Sequence, residues 1–337
     1  MIGKRAPAAS RLRAERSKQA VDYRRKYVEA GHRGAFLHNL RADFLRNKLA
    51  YFLFLPILAY LIIFNYLPMA GLLTAFENFK PRLGIFGSKW VGLQNFKTFF
   101  SSIFFKQLFT NTIVLSLLDI VFCFPAPIIF ALLLNEVRQR HFKKTVQTIS
   151  YMPYFLSAVV VCGIFTDFCQ AGGVFSALAE RITGVQNITL IGNPKTFRIV
   201  YIILNLWQGF GYGSIIYLST LSSVDAQLYE AAALDGATRW KQTLHVTLPA
   251  LKPMILFSLM MRIASILAVS TDKILLLYSP ATYETADVLG TYIYRVGVTG
   301  GQYGLTTAVG LLNSVIGFIL LLVANSVSRK YSDFSLF

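Results

Sequence analysis

This 337-residue chain has few of the residues that build catalytic or metal-binding sites. Its three cysteines and four histidines show neither zinc-ligand spacing nor an HExxH pattern. Its one Gly-Lys pair, Gly3-Lys4, is followed by Arg5 and lacks the glycines of a phosphate-binding loop. The sequence therefore predicts that the chain is not an enzyme, binds no metal and binds no nucleotide or other cofactor by itself.

Acidic residues are also scarce, with 16 Asp and Glu against 33 Lys and Arg, for a formal net charge of +17. Such an excess would suit nucleic acid, but the basic residues flank apolar stretches and form no DNA- or RNA-binding motif. Anionic headgroups explain the same pattern. The predicted partner of this charge is membrane lipid, and no nucleic acid is expected.

What the chain has in abundance is apolar sequence, since 55% of its residues are hydrophobic and 15% are charged. Six stretches are long enough to cross about 30 Å of hydrocarbon. They are roughly 50–73, 109–134, 146–169, 197–221, 253–276 and 304–327. The prediction is an all-α membrane protein with six transmembrane helices, and the basic N-terminal tail places both termini in the cytoplasm.

The first 49 residues divide into two predicted segments. Residues 1–34 form a basic cytoplasmic tail without the apolar region of a cleavable signal peptide. Residues 35–49 carry apolar side chains at helical spacing among basic ones, which predicts an amphipathic helix in the inner membrane interface. A simple extension of the first span is the alternative.

A short polar segment at 225–249 separates the fourth and fifth apolar stretches. Asp225 is a good N-cap for a helix at about 226–235, and Gly236 stands where a helix ends in a left-handed residue. Thr238 can cap a second helix, predicted to stop before Pro249. The pattern favours a compact helical hairpin, either an ordinary one or one shaped to dock on a partner.

The spacing within this hairpin resembles the EAA loop with which permease subunits of ABC importers contact their ATPase. The matching residues are Glu230, Ala231, Ala232, Gly236, Leu248 and Pro249, with Val246 in place of the usual Ile. Further segments resemble carbohydrate-uptake permeases of the maltose-permease superfamily, polysaccharide type: Tyr66–Gly71, Trp90–Phe96, Asn111-Thr112, Phe124–Pro127, Ala131–Val137 and Tyr151–Ser157. The likeness covers about residues 48–335.

This resemblance implies a type I ABC importer permease fold over residues 50–335, in the cytoplasmic (inner) membrane of a bacterium. It also implies alternating access driven by separate ATPase subunits, which bind ATP and Mg. The other implied partners are a second permease subunit, an extracytoplasmic solute-binding protein and a saccharide substrate. The EAA residues are expected to couple the membrane spans to the ATPase.

Polar and aromatic residues in the predicted fourth span are candidates for the sugar pathway. Asn205, Trp207, Gln208 and Tyr212 combine amides and rings, the groups that bind saccharides, at membrane depth. Asn313 in the sixth span is a further candidate. The alternative is a helix-packing interface, which the neighbouring glycines also favour.

Arg262 interrupts the fifth apolar stretch, nine residues after Pro253. An intramembrane charge requires a partner or a water-filled cavity. One interpretation is an electropositive pathway for an acidic saccharide, for example a uronate oligomer such as alginate. The other is an ion pair with Asp119 inside the second span.

Other classes of membrane protein remain as alternatives. An ABC permease for another small solute would share most of these features. A secondary transporter would show inverted repeats or intramembrane carboxylate relays, and a membrane enzyme would show clustered His, Asp, Glu or Cys at one interface. Neither pattern stands out in the sequence.

Overall fold

The computed structural model describes residues 47–331. The predicted basic tail and nearly all of the predicted interfacial helix at 35–49 lie outside this range. Within it, six helices are long and apolar enough to cross a membrane. These spans 1 to 6 are Lys48–Phe76, Phe105–Glu136, Ala158–Thr183, Pro194–Ser222, Arg239–Ala264 and Tyr303–Lys330.

The α-helices are α1 Lys48–Leu61, α2 Leu67–Met69, α3 Gly84–Gly87, α4 Gln94–Phe100, α5 Phe105–Leu118, α6 Pro125–Glu136, α7 Arg140–Tyr151, α8 Ala158–Cys169, α9 Val174–Thr183, α10 Pro194–Ser222, α11 Ala226–Leu234, α12 Arg239–Gln242, α13 Leu248–Ala264, α14 Thr271–Leu277, α15 Tyr283–Ala286, α16 Leu289–Tyr292 and α17 Tyr303–Tyr331. Short 3-10 turns cover Ala70–Phe76, Met152–Phe155 and Pro280–Thr282. Two short antiparallel strands, β1 Glu77–Asn78 and β2 Lys89–Trp90, pair Glu77 with Trp90. The chain divides into two compact units, one ending at Gly71 and the other beginning at Leu72.

Three spans continue past a proline through a π-helical turn that ends two residues before it. The turns are Ile62–Tyr66 before Pro68, Asp119–Cys123 before Pro125, and Thr243–Thr247 before Pro249. Proline lacks the N–H that an α-helix needs, and its ring clashes with a carbonyl one turn earlier. The extra residue of a π turn relieves both conflicts, so the helix is not broken.

The prediction that the second helix of the 225–249 hairpin stops before Pro249 is therefore wrong. α12 passes through the π turn at Thr243–Thr247 directly into α13, which has Pro249 in its first turn. The second helix of the hairpin is thus the beginning of span 5, and the two form one continuous helical element, Arg239–Ala264.

The third predicted span, 146–169, also differs from the structure. Residues up to Tyr151 belong to α7, an amphipathic helix with no buried residue, and α8 begins at Ala158. The chain leaves the helix after a turn that contains Pro153, and Ser157 caps α8 by accepting a hydrogen bond from Val160 N at 3.3 Å. A continuous apolar run in sequence is thus divided between two helices.

The fifth predicted span, 253–276, is discontinuous. α13 ends at Ala264, residues 265–270 are not helical, and α14 continues from Thr271 to Leu277. The Ser116 hydroxyl in span 2 donates a hydrogen bond to the freed carbonyl of Ile266. Irregular backbone at membrane depth is tolerated where it is buried in protein or lines a cavity. The backbone at this break meets both conditions.

Span 4 lies at the centre of the apolar core formed within the second unit. Val200 and Leu204 of this span pack with Leu115 of span 2 and Phe165 of span 3. Ile274 of α14, which is fully buried, belongs to the same cluster. The short helix after the break is therefore part of the bundle.

The segment between α14 and span 6 is held by an ion pair. Arg295 contacts the buried Asp287 through two hydrogen bonds, of 2.6 and 3.2 Å, and lies 4.8 Å from the ring centre of Tyr283. Burial alone would lower the pKa of Arg295, but the hydrogen bond and the charge of Asp287 outweigh it and raise this pKa above its usual range. Asn111 of span 2 donates to the Asp287 carbonyl at 3.0 Å, which fastens the segment to the bundle.

Candidate transport pathway and coupling loop

The hairpin at 225–249 has the local structure that its sequence predicts. Asp225 accepts a hydrogen bond from Gln227 N at 3.0 Å and caps α11. Gly236 has a φ of +74°, and Ala237 N donates to Ala232 O at 2.9 Å across the end of the helix. This is the Schellman arrangement, in which a left-handed residue turns the chain sharply. The predicted N-cap and glycine turn are confirmed.

Side chains of this hairpin that face outward include large apolar ones. Leu234 is 90% exposed and Trp240 is 71% exposed. Glu230 is exposed as well, and the ion pairs among the described residues do not include it. Apolar side chains exposed beside a free carboxylate, on a segment between two membrane spans, are typical of a docking surface.

Two contacts hold the hairpin against the bundle. Tyr229 Oη lies 3.1 Å from the Oγ1 of Thr247, which is buried, so α11 is tied to the π turn within span 5. Arg239 pairs with Glu136 at the end of span 2, with 3.3 Å between nitrogen and oxygen. These two contacts connect the hairpin to spans 2 and 5. The Glu136 contact was not found by sequence reasoning, because nothing in the local pattern relates residues 103 positions apart.

The rings predicted to line the pathway have different surroundings. Tyr212 is 38% exposed and stacks on Tyr154, with ring centres 3.8 Å apart and planes 2° apart. Trp207 packs against the core, 5.8 Å from the ring of Phe165. Tyr154 was not predicted as a pathway residue. The aromatic Tyr-Phe pair at 154–155, after Pro153, is the signal that could have found it.

We expect Tyr212→Ala to lower sugar flux per assembled transporter, since it removes an accessible stacking surface. Trp207→Ala should instead lower the yield of assembled complex, because emptying a half-buried ring site costs on the order of 2 kcal/mol. Uptake in vesicles, normalised to the amount of complex, separates the two effects. Equal losses of flux per complex would place both rings in the pathway, as the sequence suggested.

Two predicted amides have buried oxygens. Gln208 donates to the Leu156 carbonyl at 3.2 Å, and its Oε1 is buried with no hydrogen-bond partner among residues 47–331. Asn313 Oδ1 in span 6 is also buried, and no described residue forms a hydrogen bond with it. A buried acceptor left unsatisfied costs free energy, so each marks a point where water or a ligand hydroxyl would be stabilised.

Arg262 forms the ion pair with Asp119 that the sequence left open as an alternative. Asp119 lies in the π turn of span 2, and Arg262 lies three residues before Ser265, where the break in span 5 begins. Together they line a cavity of about 60 Å³ with Tyr201, Ser265 and Ser270. This cavity lies at the junction of spans 2, 4 and 5, and its lining includes Arg262, the charged residue that the sequence assigned to the predicted pathway.

A second cation lies close to this pair. The Nζ of Lys273, in α14, donates a hydrogen bond of 2.7 Å to Asn205 Oδ1 in span 4. Sequence reasoning passed over Lys273, although a lysine inside the predicted span 253–276 was itself a signal. The structure thus connects one predicted pathway residue, Asn205, with an unpredicted charge.

Comparison with known proteins identifies the family. Residues 100–333 match the family described as binding-protein-dependent transport system inner membrane component. Protein LplB of Bacillus subtilis (strain 168) is 41% identical over 87% of this chain and 92% of that protein. The polygalacturonan/rhamnogalacturonan transport system permease protein YteP of the same organism is 40% identical over 86% of this chain and 90% of that protein.

Solved structures show the same similarity. The crystal structure of a bacterial ABC transporter involved in the import of the acidic polysaccharide alginate contains a chain that is 40% identical, with a TM-score of 0.80 over 87% of this chain and 99% of that chain. A second structure, of an alginate ABC transporter in complex with an alginate pentasaccharide-bound periplasmic protein, matches at 39% identity and a TM-score of 0.80. It covers 88% of this chain and 99% of that chain.

The six apolar spans, the capped hairpin between spans 4 and 5 and these relatives lead to one conclusion. The chain belongs to the binding-protein-dependent transport system inner membrane component family and is a multi-pass permease of a sugar-importing ABC transporter in the bacterial inner membrane.

Proposed function

We propose that this chain forms one part of the membrane pathway of an ATP-driven importer of acidic oligosaccharides, and that its 225–249 hairpin docks on a separate ATPase. An extracytoplasmic binding protein delivers the sugar, and a second permease subunit completes the pathway. ATP and Mg bind to the ATPase partner. The relative solved with a periplasmic binding protein supports the delivery step.

The docking role is supported by the exposed face of the hairpin. Leu234 and Trp240 supply apolar contact area, and Glu230 supplies a charge that fixes orientation. Closure of the ATPase on ATP would move α11, and the Arg239–Glu136 contact and the continuous helix Arg239–Ala264 would pass that motion to spans 2 and 5.

The substrate class is supported by the balance of charge at membrane depth. The charged groups that interact around the break in span 5 are two cations, Arg262 and Lys273, and one anion, Asp119, whereas Asp272, the neighbour of Lys273 in α14, is exposed and is not part of this cluster. This excess of positive charge is the observation that carries the proposal, because a low-dielectric region with net positive charge favours an anionic solute over a neutral one. The names of two relatives, which specify polygalacturonan/rhamnogalacturonan and the acidic polysaccharide alginate, point to the same chemistry.

Transport by the assembled complex in proteoliposomes tests this function. The complex is purified with its ATPase and its binding protein, and uptake of a uronate oligomer is compared with uptake of the same oligomer after reduction of its carboxyl groups. We expect ATP-dependent uptake that favours the acidic oligomer. Equal uptake of the two sugars would contradict the acidic substrate class and leave sugar import intact.

A further inference from the structure

Lys273 lies beside the middle of span 4, a helix long enough to cross a membrane. Its hydrogen-bond partner Asn205 is eleven residues after Pro194, about 17 Å along a helix that rises 1.5 Å per residue. That helix has 29 residues, so Asn205 is close to its centre. An ammonium group at this depth is costly unless another charge or water compensates it.

Among residues 47–331, no carboxylate oxygen lies within 4.0 Å of the Lys273 ammonium. The nearby carboxylate of Asp119 is paired with Arg262, and the effects of these two charges on Lys273 oppose each other. A single hydrogen bond to the neutral amide of Asn205 does not offset the cost of an intramembrane charge. Asp272, the neighbour of Lys273 in α14, is exposed, and among the described residues Lys273 is the cation of this cluster that has no ion-pair partner.

We propose that Lys273 is the specificity-determining cation of the pathway, which binds a carboxylate of the acidic saccharide as it passes Asn205. Arg262 has a different role, since Asp119 already neutralises it. The Arg262–Asp119 pair positions the break in span 5, and Lys273 supplies the free charge. This inference rests on the proposed function of acidic sugar import.

The chemistry of the two residues suits a uronate. The ammonium provides a compact charge with three donors, of which Asn205 occupies one. The amide nitrogen of Asn205 has two hydrogens, and because its side chain also hydrogen-bonds Tyr201, one hydrogen remains for a sugar hydroxyl or the second carboxylate oxygen. A neutral sugar could use the amide but would leave the ammonium uncompensated, and this difference in binding generates the selectivity.

The test is Lys273→Gln in the complete transporter, with Lys273→Arg as the conservative variant. Gln keeps a hydrogen bond to Asn205 but removes the charge. We expect Lys273→Gln to lower uptake of the uronate oligomer about tenfold relative to its carboxyl-reduced analogue, as expected for loss of one charge-assisted contact. Lys273→Arg should retain the acidic preference. Thermal stability of the complex is measured alongside, and it should not fall in Lys273→Gln.

Lys144→Gln serves as the matched control, because it removes one exposed lysine charge from α7 and leaves the cluster around the break in span 5 intact. It should keep the preference for the acidic sugar. If Lys273→Gln instead lowers stability and reduces both uptakes alike, Lys273 is only a structural tether and the inference fails. If the wild-type transporter shows no acidic preference at all, the proposed substrate class fails first, so the two failures are distinguishable.

Discussion

Gly236→Val should abolish coupled transport while the six spans still insert. Gly236 has a φ of +74°, and a β-branched residue in that conformation is strained by about 1–3 kcal/mol. The turn that follows α11 would open, and Glu230 and Leu234 would no longer be presented at a fixed angle. Copurification of the ATPase and ATP-dependent uptake are the measurements. The amount of copurified ATPase and the rate of uptake should fall together, and uptake should fall to background.

Gly236→Asn is the control that isolates backbone conformation, because asparagine tolerates left-handed backbone better than other residues with a side chain. An added Cβ at Gly236 meets no heavy atom within 4 Å in the part of the chain that the structure describes, so lack of space is not an issue. Gly236→Asn should recover most of the coupling. Full coupling in Gly236→Val would exclude the turn as the docking element. In that case Glu230→Arg tests whether the charge of Glu230 is needed for docking on its own.

Gly211→Ala should strongly reduce the amount of assembled permease. At this point α10 and the end of α7 touch, and a Cβ on Gly211 would overlap the carbonyl oxygen of Ser150. Backbone cannot move aside as a flexible side chain does, so the two helices would have to separate. A cost of about 1–3 kcal/mol or more is expected. Thermal unfolding of the detergent-solubilised complex measures it.

Gly209→Ala is the matched control, two residues earlier on the same helix. No heavy atom of a described residue, outside the helix's own backbone, lies within 4 Å of an added Cβ there. Alanine is a better helix former than glycine by about 1 kcal/mol, so this variant should be neutral or slightly more stable. Equal loss of stability in both variants would mean that the effect of replacing Gly211 comes from lost glycine flexibility and not from close packing against Ser150.

The predicted class and the coupling hairpin were accessible from sequence because both depend on local physics. Long apolar runs must be helices in a bilayer, since each backbone polar group needs a partner within the segment. Asp225 and Gly236 act on their immediate neighbours, so their positions predict the cap and the turn. The confirmed parts of the fold are those whose energetics involve residues close in the chain.

The wrong element boundaries come from the prolines and from the break in span 5. Pro249 and Pro153 both predict the end of a helix. A π turn before Pro249 lets the helix continue, whereas the helix before Pro153 ends. Which outcome occurs depends on whether neighbouring helices can accommodate the extra residue. Ser265–Ser270 contains neither glycine nor proline, so its interruption had no local signal.

By itself, the sequence determined that this protein is a six-span membrane protein, that it has a capped hairpin between spans 4 and 5, and that it resembles sugar permeases of ABC importers. Only the tertiary structure decided which charges meet. It paired Arg262 with Asp119, 143 residues away, and placed Lys273 on Asn205, 68 residues away. The physical reason is that charge at membrane depth is stabilised by whatever the packing brings near it, and packing between spans is not encoded in local pattern.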